Sequence, residues 1–268
     1  VTTRWLYQLG CGLLALAALT GCSGSGNVSN VTKRAKLSSR AANGNVTNYS
    51  PYVAIGQGNA RAYVTLNGNT PVYIGVEMDE ICASTVPYPA FNVGNEYQFA
   101  SPAGLNTTPI QGISITFFSA HPPAGFGDVP HFHPNFFLTS LAVRNTITDN
   151  DPRGLVAVAA NEIPAGHIFP GVVNAFEGGV SFDPIQDSNR EQPFTTINEA
   201  YDFLNGHMIL IQTGATIAFL QNKQNAYSLL SLPKNFPTPG YYPTYYFTLY
   251  DKTRHIYNLG IGGFVQHQ

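Results

Sequence analysis

Charge is scarce in this chain. Asp, Glu, Lys and Arg make up 10% of its 268 residues, against about a quarter in an ordinary globular protein. What charge there is divides by position. Lys33, Arg34, Lys36 and Arg40 lie in a stretch without acid, and from Pro51 onward eight basic residues face fifteen acidic ones, a formal −7. An acidic body argues against nucleic acid as a partner. Cysteine is rarer still: Cys11, Cys22 and Cys82 are the full set. The apolar run Leu9–Leu19 is too short for a permanent transmembrane helix. The chain also lacks a G-x-S-x-G elbow, a P-loop, an H-E-x-x-H helix and a dinucleotide fingerprint, which removes the common hydrolase, nucleotide and zincin classes.

Arg4 precedes the apolar run, and Leu19-Thr20-Gly21-Cys22 closes it. That order of charge, apolar run and Gly-Cys resembles the lipobox of bacterial lipoproteins. Residues 1–22 therefore read as an export signal. Cys22 reads as the lipidated residue, which anchors the protein to membrane in the bacterial cell envelope, at the outer membrane or cell surface. Cys11 would leave with the signal, so Cys82 has no partner for an intrachain disulfide and is expected to be a buried thiol. Residues 23–50, rich in Ser, Gly, Asn and Ala without apolar periodicity, read as a disordered tether.

From residue 51 to 268 the texture is short runs of Tyr, Phe, Val, Ile and Thr broken by Gly, Pro and Asn, which predicts one mainly β domain. Hairpins are expected around Asn67-Gly68-Asn69, Asn205-Gly206 and Asp251–Arg254. Further strands are expected at Tyr97–Ala100, Ile113–Phe118 and His131–Thr139. Tight turns force antiparallel pairing, so the expected architecture is a single antiparallel sandwich or barrel-like domain with a few short helices. Asp79 is expected to cap a helical turn through Cys82, and Thr216–Asn222 to hold another. Leu155–Ala160 fits helix or strand.

The densest set of ligand-type side chains lies between Pro122 and Ser140. His131, His133 and Asn135 alternate with Phe132, Pro134 and Phe136, so the three polar groups share one strand face. Residues i and i+2 of a strand are about 6.6 Å apart, close enough for two imidazoles to converge on one ion. Asn135 stands about 13 Å from His131 by the same rise, too far for all three to share an ion in a straight strand. Pro134 lacks an N–H, which predicts an edge strand or a bulge. A metal needs a third ligand: His121 and Asp128 are near in sequence, and Glu77, Asp79 and His207 are available through the fold. Imidazole with carboxylate suits a divalent transition metal such as zinc or iron. Gly125 with His131 and His133 also fits the first half of the cupin signature, G-x5-H-x-H, but Phe137 and Leu138 stand where that signature needs Glu. The aromatics from Tyr241 to Phe247 fit either core packing or a sugar platform.

Residues 60–265 resemble an uncharacterised family of bacterial secreted β-rich proteins, a domain of unknown function. Gly75-Val76-Glu77-Met78-Asp79, Gln192-Pro193-Phe194-Thr195 and Gly240-Tyr241-Tyr242-Pro243-Thr244 carry the likeness. In the family's P-H-F-D-x-H-F-Y motif, Pro130-His131-Phe132 is kept. His133 replaces the Asp, Asn135 the second His and Phe137 the Tyr. Asp183-Pro184 is kept from a later motif whose His is gone. The resemblance implies a β-rich exported fold and marks Glu77, Asp79, Asn135 and Asp183 as motif positions. Three functions fit these residues. The favoured one is a non-catalytic envelope lipoprotein that binds a small ligand or metal or self-assembles as a homo-oligomer. The others are a cupin-like metalloenzyme using His131 and His133, and a purely structural surface module.

Overall fold

A computed structural model describes residues 44–121, 127–183 and 195–268. The expected signal, Cys22 and the tether up to residue 43 lie outside the described residues, as do Gly125, Pro184 and Gln192-Pro193-Phe194.

The fold is mainly antiparallel β, as expected. The first half supplies β1 (Asn45–Tyr49), β2 (Val53–Ile55), β3 (Gly58–Asn67), β4 (Thr70–Asp79), β5 (Gly94–Phe99), β6 (Gly112–Phe118), β7 (His131–Phe137) and β8 (Val173–Asn174). The second half supplies β9 (Gly178–Phe182), β10 (Ile197–Leu204), β11 (His207–Thr216), β12 (Ala226–Leu229), β13 (Gly240–Tyr242), β14 (Tyr245–Asp251), β15 (Ile256–Gly262) and β16 (Val265–His267). One sheet runs β1-β3-β4-β15-β14-β12, with β2 also on β3. The other runs β5-β6-β7-β11-β10-β9-β8, and β13 with β16 forms a small ribbon.

The three hairpins close where the turn residues put them. Asn205 and Gly206, between β10 and β11, both have positive φ, 53° and 80°, the geometry an Asn-Gly type I′ turn demands. Between β3 and β4, Asn67 pairs Thr70, and Gly68 takes φ 60°. Asp251 pairs Ile256 at the third.

Alternation then decides what each sheet buries. Ile74, Val76, Met78, Leu259 and Ile261 of the first sheet share one core with Ile115, Phe117, Phe132, Phe136, Tyr201 and Ile211 of the second. This is the sandwich arrangement of two apolar faces, each fully buried large side chain contributing about 1.5–3 kcal/mol. Tyr242, Tyr246 and Phe247 are buried as well, so packing rather than a sugar platform accounts for them. The outer face of the second sheet is not bare. The segment between β7 and β8 folds over it, carrying the short helix α1 (Leu141–Arg144) and a 3₁₀ turn at Pro152–Leu155. Ile147 packs there against Phe137, Leu204, Ile209 and Leu210.

Several expectations need correction. Strand β1, Asn45–Tyr49, lies inside the expected tether. β1 was invisible because Asn-Val-Thr-Asn-Tyr is a short, largely exposed edge strand with little apolar signal. Asp79 caps no helix. Its carboxylate accepts the Asn59 N–H at 2.8 Å, and the helical turn Cys82–Thr85 has no side-chain cap. After the 3₁₀ turn, residues 156–159 form neither helix nor strand.

β7 is neither an edge strand nor bulged. It is third of seven, its register with β6 is continuous, and Pro134 sits opposite Ile115. The missing donor shows on the other side. The β7–β11 pairing runs from Phe137↔Leu210 to Asn135↔Gln212, skips Pro134 and His133, and resumes in the same register at Phe132↔Ala215. By that register the place on β11 beside His133 belongs to Gly214, where a Cβ would stand 1.9 Å from Asn198 Oδ1. Only a glycine admits the Asn198 amide there.

Candidate metal centre and cavity

β7 presents His131, His133 and Asn135 on one face, the face away from the shared core, as Phe132 and Phe136 lie within that core. His121 joins them from the loop after β6, where its backbone N–H donates to Gly127 O at 2.8 Å. The three Nε2 atoms converge. His131 and His133 are 2.6 Å apart there, His121 is 3.0 Å from His131 and 3.5 Å from His133. Nitrogens held tetrahedrally around one ion at about 2.0–2.1 Å stand about 3.4 Å from each other, so the two spacings from His121 lie near a metal-holding triangle, while the 2.6 Å between His131 and His133 is the length of a hydrogen bond and would have to open for a metal. These three form the group of potential metal ligands found among the described residues. Phe118, opposite His131 in the register, packs against all three rings, with centroids 4.7–5.9 Å away.

The electrostatics keep the lone pairs available. His131 Nδ1 lies 2.5 Å from Val129 O, so Nδ1 carries the proton and Nε2 the lone pair. Burial, with His121 adding to it, pushes His131 down to about 3. Burial, then His131 and His121, pushes His133 well below the ordinary histidine range. Both are neutral at pH 7, the form a metal takes up. His133 Nδ1 is buried without a hydrogen-bond partner.

Of the other expected ligands, Asp128 is exposed and outside the cluster. Asn135 is beside it but engaged. Its Nδ2 donates to Ser114 Oγ and Thr116 Oγ1 at 3.1 and 3.0 Å, and its Oδ1 accepts from Gln212 Nε2 at 2.9 Å. Glu77 is on the outer face of the first sheet, where it accepts from Arg61 and Arg254, both at 2.8 Å. Asp79 is on the same strand, and Asp183 is buried next to Gly166. His207 is exposed and pairs with Glu162 at 3.1 Å. Burial pushes the Cys82 thiol up to about 12, which makes it inert.

His121 and His133 open onto a cavity of about 400 Å³. Glu96 of β5, Thr116 of β6, Gln212 of β11 and Val180 and Phe182 of β9 also line it. Strands from one end of the second sheet to the other thus surround one space, so the sheet curls about it. Gln212 links the cavity to the triad's strand, donating to Asn135 and, at 3.3 Å, to Glu177 Oε1. Glu177 lines the cavity, and burial pushes its carboxyl up to about 7. Gln212 and Glu177 could not be found from sequence, because neither lies in a motif and both reach the site through sheet pairing.

A second constellation looks catalytic and is not accessible. Ser181 Oγ is 3.3 Å from His167 Nδ1, and His167 Nε2 is 3.6 Å from Glu199 Oε1. Ser181 and Glu199 are 0% and 1% exposed, and the same Glu199 oxygen accepts the Ser231 N–H at 2.8 Å. No substrate reaches that serine.

No protein-family model, curated protein or solved structure matches the chain. The functional reading therefore rests on the geometry. Among the described residues no helix is long and apolar enough to cross a membrane.

Proposed function

We propose that this protein is a metal-binding lipoprotein of the bacterial cell envelope, in which His121, His131 and His133 hold one divalent transition metal such as zinc. The convergence of three Nε2 atoms within 3.5 Å of one another carries the reading. Burial keeps these imidazoles from becoming charged, so their close nitrogens either share a neutral ring's own N–H or turn their lone pairs to a cation, and the metal analysis below decides between the two. Three protein ligands leave a fourth position open, and the cavity lies on the side of His121 and His133. The all-nitrogen set favours zinc, copper, nickel or iron over calcium or magnesium.

Metal analysis of the purified full-length protein tests this. About one equivalent of zinc is expected after loading and dialysis, falling to background in His131→Ala and in His121→Ala. A folded protein that retains no transition metal would leave the structural-module reading in its place. The anchor has its own test. Radiolabelled palmitate is expected to enter the protein in bacteria and to be lost in Cys22→Ala; label that persists in the variant ends the lipoprotein reading.

A further inference from the structure

The cavity beside the triad is shaped for an occupant. Its volume of about 400 Å³ falls in the range of small-molecule pockets, about 300–1,000 Å³. Phe118, Phe176, Phe182, Val172 and Val180 give it an apolar wall. Phe176 stands out among them. It is 46% exposed, and its backbone takes φ 66°, a conformation that is disfavoured for a bulky residue and clusters at ligand sites. The Phe176 N–H donates to Ile147 O at 3.1 Å, which helps fix the turn, and the ring lies over the Arg144 guanidinium at 5.2 Å.

The polar lining disfavours either sign of charge. Arg144 is the cationic side chain there, and it is already spent: Nη2 donates to Glu96 Oε1 at 2.6 Å and Nη1 to Asn145 Oδ1 at 3.4 Å. An anion would find no unpaired cation on the wall and would face Glu96, Asp149 and Glu177. A cation would find those acids engaged. Glu177 accepts from Asn174 and Gln212, Asp149 Oδ1 accepts the Ala175 N–H, and Glu96 holds Arg144. A metal at the triad would repel it as well.

We propose that the cavity binds a small uncharged organic molecule with an apolar, ring-sized body against Phe118, Phe176 and Phe182, and with one nitrogen or oxygen donor that takes the open position of the triad's metal. This rests on the metal reading above, and the experiment separates the two. The full-length protein is loaded with cobalt(II), whose visible absorption reports its ligands, and titrated with imidazole, 4-phenylimidazole and benzoate. 4-Phenylimidazole is expected to change the cobalt spectrum and to bind at least about tenfold more tightly than imidazole, the difference being the ring buried on the apolar wall. Phe176→Gly is expected to remove most of that advantage while leaving cobalt and imidazole affinities unchanged; glycine takes the positive φ of this turn without strain, which protects the fold of the variant. Equal affinity for imidazole and 4-phenylimidazole, an unchanged spectrum on bound cobalt, or tighter binding of benzoate overturns the proposal while the metal site stands. Failure of cobalt to bind at the triad overturns both.

Discussion

Saturating zinc is expected to raise the melting temperature of the metal-free protein by roughly 10 °C. A ligand that binds the native state alone stabilises it by about 4.1 kcal/mol at a thousand times its dissociation constant. For a domain of this size each kcal/mol moves the midpoint by roughly 2–4 °C. The shift should vanish with chelator. It should also vanish in His121→Ala, whose side chain reaches the triad from a partly exposed loop, so that the β core stays intact. His131→Ala removes a ring that is 0% exposed and is the harsher test. It should lose the zinc response and also some metal-free stability. A midpoint indifferent to zinc and chelator in the parent protein would sink the metal reading, whatever trace metal co-purifies.

The second large effect lies at Asp202. This residue is fully buried on β10, across from Val180 and Leu210, and neither carboxylate oxygen has a hydrogen-bond partner. Burial first, and Glu177 second, hold its carboxyl well above the ordinary range. The native state therefore keeps a proton that the unfolded chain releases above about pH 4. Its contribution is present below that pH and is lost as pH rises through the folded pKa, with a slope of up to about 1.4 kcal/mol per pH unit. Glu177, pushed up to about 7, acts in the same direction over the window up to neutrality. Asp202→Asn keeps the shape and has no proton to lose. Its urea midpoint should vary less with pH than the parent's, and between pH 4.5 and pH 8 it should gain on the parent by up to about 5 kcal/mol, the limit set by that slope over the interval. At pH 4.5 the gap should nearly close. A gap of equal size at both values would mean that Asp202 is not the titrating group.

Much of the fold was legible from local chemistry. Asn205-Gly206 and Gly68 specify their turns by backbone geometry, and the period-two runs at Ile113–Phe118 and His131–Phe137 mark strands with one buried face. Thr216 caps the short helix α2 (Ile217–Gln221) by accepting the Phe219 N–H at 3.1 Å, within the helical turn expected there. What escaped the sequence was long-range. The position of β7 in the sheet depends on which strands pair with it, and Pro134 was legible as a missing donor but not as a gap between two central strands. Of the candidate ligands, His121, His131 and His133 do meet, whereas Asp128, closer in sequence to His131 than His121 is, stays outside. Proximity along the chain does not determine which side of a loop faces a site. The cavity had no sequence signal at all, since it exists only once β5, β6, β11 and β9 curl around one space.

Pro134 also bears on the chain before it folds. The stretch His131–Leu138 has no charge and carries Phe132, Phe136 and Phe137, the composition of segments that stack copy upon copy into fibrils when exposed. A proline in its middle withholds the amide that such stacking needs. The native sheet tolerates the gap because β6 holds the strand continuously on the other side, whereas a column of identical strands would repeat it at every layer. The residue that interrupts the ladder beside the histidines thus also guards this segment against aggregation.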